Sequence, residues 1–119
     1  MVLEPTVDPA AIEKLRMLGG APLLGRMIDL FLENTPKRIQ AALQGEKEGD
    51  WHSVERAAHS LKSSAANLGI KGLQSLAREI EGLADRKQAE LVVPLLHELE
   101  AAYPAIKARL EDEKKACTA

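Results

Sequence analysis

The sequence predicts an all-α protein, an up-and-down four-helix bundle with an additional short N-terminal helix. Ala, Leu, Glu, Lys and Arg are abundant in its 119 residues, whereas only one Trp, one Tyr and one Phe occur. This composition favours helices over strands. Apolar residues recur at intervals of three and four, and short turn signals separate the helical segments. Helices joined by such turns pack as antiparallel neighbours.

The first helix is predicted over residues 9–18. Asp8 suits the N-cap, because its carboxylate accepts from the free N–H groups of the first turn. Pro9 suits the first helical position, where no N–H group is needed. Gly19 and Gly20 then interrupt the helical pattern, so this helix is short.

The second helix is predicted to begin at residue 21. Its apolar residues recur at helical spacing, as Leu24, Met27, Ile28, Phe31 and Leu32. Pro36 falls inside this pattern, and two interpretations remain open. Either a kinked helix continues to about Glu48, or Asn34 and Thr35 cap a new helix that begins with Pro36.

The third helix is predicted over residues 51–68. Gly49 ends the preceding helix and Asp50 serves as the N-cap of this one. Gly69 follows the last apolar residue and is a typical helix terminator.

Two further helices are predicted over residues 71–86 and 89–113. The first of them carries four apolar residues at helical spacing, Leu73, Leu76, Ile80 and Leu83. Pro94 and Pro104 fall within the last helix, where we expect bends.

Length and charge limit the functions to consider. We expect one domain, residues 1–119, with fraying over 1–7 and 112–119. The net charge is −2, so the chain has no overall positive field that would attract nucleic acid or an anionic membrane. No apolar run approaches the roughly 20 residues that span a bilayer, and the N-terminus lacks a signal-peptide pattern. The only cysteine, Cys117, permits no disulfide framework. We therefore predict a cytoplasmic protein.

The third helix places one histidine opposite its apolar face. With about 100° of rotation per residue, five residues fall within about 60° of Leu61: Val54, Ala57, Ala58, Ala65 and Leu68. By the same rotation His59 lies about 160° away, on the outer side. Lys62 lies at the edge of that outer side. The residues around them in the stretch AAHSLKSSAANLG are small, which lets another molecule come close.

This pattern is compatible with phosphoryl chemistry. A neutral imidazole is a nucleophile, and an exposed imidazole is partly neutral at pH 7. A lysine one turn away adds positive charge beside it, which suits attack on an anionic group. Spacing by itself also fits an ordinary solvated helix face, so these residues alone leave both interpretations open.

The stretch AAHSLKSSAANLG, followed by GLQSLAREIE, resembles the histidine-containing phosphotransfer (HPt) domain. The family motif has a His, an aliphatic residue two positions on, a Lys three on, small residues from four on and a Gly ten on. Here these are His59, Leu61, Lys62, the residues 63–66 and Gly69. The resemblance extends from about residue 21 to 110. Ser63 departs from the Gly that is frequent in the family, but it is also small.

The resemblance implies that His59 accepts a phosphoryl group from a phospho-aspartate on a response-regulator receiver domain or a hybrid kinase. The group then passes to another receiver. Lys62 would offset the charge of phosphohistidine, and Glu81 would hydrogen-bond the imidazole, with an ordinary surface carboxylate as the alternative. The expected docking residues are Arg56, Ser63 and Ala66. Such a carrier is not an enzyme, needs no cofactor of its own, leaves Mg²⁺ to the receiver, and is expected to be a monomer.

Other classes of protein fit less well. A dimerisation domain of a sensor kinase would carry an acidic residue after the His and a Pro shortly beyond, but Ser60 follows and the next proline is Pro94. A phosphotransfer domain cut from a larger kinase stays open, as does a helical interaction module without phosphotransfer. His52 and His59 are about 10 Å apart along the helix, too far to share one metal ion, and His97 is expected to be a solvated position.

Overall fold

Four helices form the whole of the described fold. The computed structural model describes residues 5–118, with side chains over 5–116. The helices are α1 (Pro9–Glu48), α2 (Trp51–Leu68), α3 (Lys71–Asp85) and α4 (Ala89–Thr118). α1 packs against α2 and α4, and α3 packs against the same two helices, so the four close into a ring around one apolar core. The predicted up-and-down bundle is confirmed.

A break at Gly20 divides α1 into two helical segments. Gly20 has φ 71° and ψ −168°, which no helical residue adopts, and glycine reaches this conformation without a Cβ clash. The segment before it is the short additional helix that the sequence predicts.

α1 continues through Pro36 without a new start. Pro36 has no N–H group, so the carbonyl of Leu32, four residues earlier, loses its helical donor. The Tyr103 hydroxyl on α4 donates to the Leu32 carbonyl at 3.3 Å. The buried Thr35 hydroxyl has no hydrogen-bond partner among the described residues, so it does not cap a new helix. Of the two interpretations left open by the sequence, the continuous helix is correct.

Gly69 ends α2 and also contacts the residues at the start of α1. Its φ of 70° is left-handed, and its N–H bonds back to the last turn of α2. The N–H of Asp8 donates to the Gly69 carbonyl at 2.9 Å. A Cβ on Gly69 would lie 2.7 Å from the Cβ of Ala11 and 2.8 Å from that of Asp8. The close approach therefore requires glycine, beyond the role of helix terminator.

The described ends of the chain add contacts beyond the helices predicted from the sequence. Val7 is only 6% exposed and packs in the core, while the expected fraying over 1–7 and 112–119 stays a prediction. α4 continues to Thr118, past the predicted end at 113 and through most of 112–119, and Lys114 Nζ lies 2.6 Å from Asp29 Oδ1 on α1. Sequence periodicity misses such an ion pair between helices. Residues 1–4 and 119, and the side chain of Cys117, lie outside the described part.

No helix within residues 5–118 combines the length and the apolar character that crossing a membrane requires.

Candidate functional site

α2 has one buried face and one exposed face, in the register that the sequence predicts. The buried side chains are Val54, Ala57, Ala58, Leu61, Ala65 and Leu68. His59 lies on the opposite side, and its side chain is 61% exposed. Burying the aliphatic stripe against α1 and α3 is what turns the imidazole outward. The ring stands in the middle of a helix, so both of its nitrogens can meet groups from outside α2.

Glu81 on α3 brings a carboxylate to this ring. Its neighbour Ile80 is fully buried, and this packing places Glu81 at the edge of α3 that borders α2. The Nδ1 atom of His59 lies 2.8 Å from Glu81 Oε2. Lys62 Nζ donates to the other oxygen, Oε1, at 2.6 Å. One carboxylate thus joins the two side chains that the sequence pattern singles out.

The electrostatics of this group favour the ionised carboxylate. The hydrogen bond from Lys62 is the main cause that lowers the pKa of Glu81, the bond to His59 lowers it further, and partial burial opposes both. An ionised carboxylate only accepts hydrogen bonds. The Nδ1 atom of His59 must therefore carry the proton that it shares with Glu81. In the neutral ring Nε2 is then the unprotonated, nucleophilic nitrogen.

A shallow cleft surrounds the imidazole. It is lined by Glu55, Arg56, His59, Ser60 and Glu81. Arg56 is accessible at the rim of this cleft, and Ser63 and Ala66 lie on the same side of α2. The small side chains of Ser60, Ser63 and Ala66 leave the ring open to the approach of a protein surface. The three proposed docking residues therefore all lie on the accessible side of α2.

The sequence suggests that Lys62 places its charge beside His59, but in the structure its ammonium group contacts Glu81 instead. The side chain is only 25% exposed and turns towards Glu81. Sequence reasoning missed this pairing because it depends on the rotation of α3 against α2. It also missed Glu55 and Ser60 as lining residues of the cleft. The i, i+4 spacing of Glu55 and His59 is the signal that could have indicated Glu55.

The described side chains, residues 5–116, contain no group of three or more His, Cys, Asp or Glu that could hold a metal ion. His52 and His97 are exposed.

Known proteins resemble the chain in both sequence and fold. A family model described as the Hpt domain matches residues 26–109. Histidine-containing phosphotransfer protein 2 of Arabidopsis thaliana is 27% identical over 104 residues, which cover 85% of this chain and 67% of that protein. The crystal structure of histidine-containing phosphotransfer protein B (HptB) from Pseudomonas aeruginosa PAO1 superposes with a TM-score of 0.87 at 20% identity. The superposition covers 94% of this chain and 96% of that one, and so supports the fold.

Proposed function

Since the chain belongs to the Hpt domain family, we propose that it carries a phosphoryl group on His59 between response-regulator receiver domains. The donor is a phospho-aspartate on a receiver or on a hybrid histidine kinase, and the acceptor is another receiver. The observation that carries the proposal is the exposed His59 ring with its Nδ1 held 2.8 Å from the Glu81 carboxylate. This contact gives the outward ring a defined tautomer, which an ordinary solvated histidine lacks.

The transfer step uses Nε2 of His59 as the nucleophile. Nε2 attacks the phosphorus of the aspartyl phosphate, the N–P bond forms, and the P–O bond to the aspartate breaks. The electron pair of that bond leaves with the aspartate carboxylate. The proton stays on Nδ1, so the ring gains positive charge as the bond forms. The ionised Glu81 carboxylate, already in contact with that N–H, stabilises this charge. The reverse sequence delivers the phosphoryl group to the next receiver.

Lys62 supports the step through Glu81. Its ammonium group lowers the pKa of the carboxylate and fixes one of its two oxygens at 2.6 Å. Glu81 is thereby kept ionised and oriented while the ring reacts. The charge of Lys62 also lies one helical turn from His59, where it offsets part of the charge of the bound phosphoryl group.

The remaining parts of the proposal concern the partners. The chain acts as a phosphocarrier without kinase activity of its own, and the Mg²⁺ required for transfer belongs to the receiver. Arg56, Ser63 and Ala66 form the docking surface around His59. A monomer in the cytoplasm suits this role, because one imidazole must meet a donor and an acceptor in turn.

The decisive experiment is phosphoryl transfer from radiolabelled receiver domains. Each member of a panel of phosphorylated receivers from the source organism is mixed with the chain, and the label on the chain is tested in acid and in alkali. We expect label that is lost in acid, survives alkali and is absent from His59→Ala. Circular dichroism verifies that this variant is folded.

Two outcomes of this experiment contradict the proposal. Label that persists in His59→Ala would move the acceptor to another residue. A wild-type chain that accepts no label from any receiver, although phosphoramidate phosphorylates its histidine chemically, would favour the helical interaction module instead.

A further inference from the structure

A groove between α1 and α2 is lined only by cationic, hydroxyl and alanine side chains. Its lining residues are Lys37, Arg38, Ala41, Ser53, Arg56, Ala57 and Ser60. Every charged side chain among them is therefore positive. The groove is therefore positively charged although the whole chain has a net charge of −2.

The three cations of the groove have no carboxylate partners within the described side chains. Among the described side chains, no ion pair within 4.0 Å involves Lys37, Arg38 or Arg56, whereas Lys71, Arg109 and Lys114 each form at least one. Three unpaired cations in one groove repel one another, and this repulsion is relieved when an anionic surface approaches.

The groove is continuous with the cleft of the candidate site. Arg56 and Ser60 line both of them. The cleft itself contains the carboxylates of Glu55 and Glu81, which repel an incoming phospho-aspartate. Lys62, the cation expected to oppose that repulsion, already donates to Glu81. Arg56, which lines the cleft and the groove alike and has no carboxylate partner among the described side chains, therefore joins the positive charge of the groove to the reactive ring.

We propose that the α1–α2 groove binds the acidic surface of the receiver domain that exchanges phosphoryl groups with His59. The inference rests on the proposed function and adds Lys37 and Arg38 of α1 as residues that steer the partner. Opposite charges raise the rate of encounter by about ten- to a thousandfold, and salt suppresses the effect beyond a Debye length of about 10 Å at 0.1 M. A long polyanion such as DNA fits less well, because it would extend beyond the groove over a chain whose net charge is −2.

The test compares two charge reversals of the same residue type. Lys37→Glu removes a cation of the groove, and Lys107→Glu makes the same change at an exposed position of α4, the helix diagonal to α2. The probe is the receiver that phosphorylates the wild-type chain fastest in the panel described above. The quantity measured is the second-order rate constant of transfer, at about 20 mM and about 500 mM salt.

At low salt we expect Lys37→Glu to slow the transfer at least roughly tenfold and Lys107→Glu to slow it less than roughly twofold. At high salt the difference should shrink to less than roughly threefold. Phosphoramidate should label both variants like the wild type, which shows that the imidazole itself is intact.

Three outcomes would overturn the assignment of the groove while leaving the proposed function in place. The first is that Lys37→Glu and Lys107→Glu change the rate constant of transfer equally. The second is that Lys37→Glu slows transfer by the same factor at low and at high salt. The third is that the chain binds a fluorescent 20-mer DNA and that this binding depends on Lys37. If no receiver labels the wild-type chain, the proposed function fails first, and the groove loses its receiver partner with it.

Discussion

At the scale of single residues, Glu81 links two side chains that α2 presents on its outer side. Each oxygen of its carboxylate has one partner, His59 at 2.8 Å and Lys62 at 2.6 Å. The arrangement makes the protonation of the ring depend on a residue of another helix. Glu81 is therefore a positioning residue for His59, since in the proposed step it touches the ring and leaves the attack to Nε2.

Glu81→Gln should weaken the dependence of stability on acid pH. The pKa of Glu81 is below its ordinary value of 4.5, so its contribution is fully present above that value and is lost as the pH falls through the lowered pKa. At pH 7 we expect the variant to lose about 1–2 kcal/mol in the free energy of unfolding. Urea titrations should show the wild type losing stability more steeply than Glu81→Gln below about pH 4.5. If the stability of both proteins fell equally with pH, the ionised Glu81 carboxylate would not be the group that stabilises the fold.

The same carboxylate should affect the rate of phosphoryl transfer. We expect Glu81→Ala to slow labelling of His59 by roughly ten- to a hundredfold, because the ring loses the partner that sets its tautomer and orientation. Glu81→Gln should lie between this variant and the wild type, since the amide oxygen still accepts from Nδ1 but carries no charge. Equal rates in all three proteins would show that the contact has no part in transfer.

At the scale of helices, two positions depend on contacts between elements. Pro36 leaves the Leu32 carbonyl of α1 without its helical donor, and Tyr103 of α4 supplies a donor. Gly69 allows the start of α1 to approach the end of α2. In both cases a residue that breaks regular helix geometry is accommodated by a neighbouring segment of the chain.

Tyr103→Phe should destabilise the protein by about 1 kcal/mol, because it removes the hydroxyl that donates to the Leu32 carbonyl. Pro36→Ala provides the matched background, since this substitution restores the N–H group that bonds to the Leu32 carbonyl within the helix. We expect the cost of Tyr103→Phe to be smaller in that background, as measured by a double-mutant cycle from urea unfolding. Equal costs in both backgrounds would mean that the hydroxyl does not compensate for Pro36.

Gly69→Ala should destabilise the protein more than Gly49→Ala. Both glycines have φ 70°, so both variants incur the backbone strain of about 1–2 kcal/mol that a left-handed residue costs. Only at Gly69 would the new Cβ come within 2.7 Å of Ala11, whereas nothing lies within 4 Å at Gly49. The difference between the two melting temperatures isolates the contact with α1. Equal melting temperatures would show that the start of α1 moves aside without cost.

At the scale of the whole molecule, the core and the candidate site lie on opposite sides of the same helix. The apolar face of α2 packs in the middle of the ring of helices, and the outer face carries His59 and the adjoining groove. Changes to the reactive ring are therefore separated from the contacts that hold the bundle together.

His59→Ala should change the free energy of unfolding by less than about 0.5 kcal/mol, because the ring is largely exposed. Leu61→Ala, two residues along, is the matched control on the buried face, and we expect it to cost about 2–5 kcal/mol. Chemical denaturation of the two variants measures both values. A loss of several kcal/mol in His59→Ala would mean that the site contributes to the stability of the fold.

Local sequence patterns were sufficient to predict the helices and the two faces of α2. Caps such as Asp50 and terminators such as Gly49 act within one turn, and the periodicity of apolar residues decides which side of a helix is buried. The outward position of His59 follows from that periodicity alone. The phosphotransfer family was likewise indicated by a motif that lies within one helix.

The tertiary structure decided which residues of different helices meet, apart from Glu81 and His59, whose contact the family resemblance had implied. Neither the contact of Lys62 with Glu81 nor the position of Lys37 beside the cleft is a property of any single helix. Each depends on how far the helices rotate and slide against one another. That rotation and shift come from the packing of all core side chains at once, which periodicity within one helix does not determine.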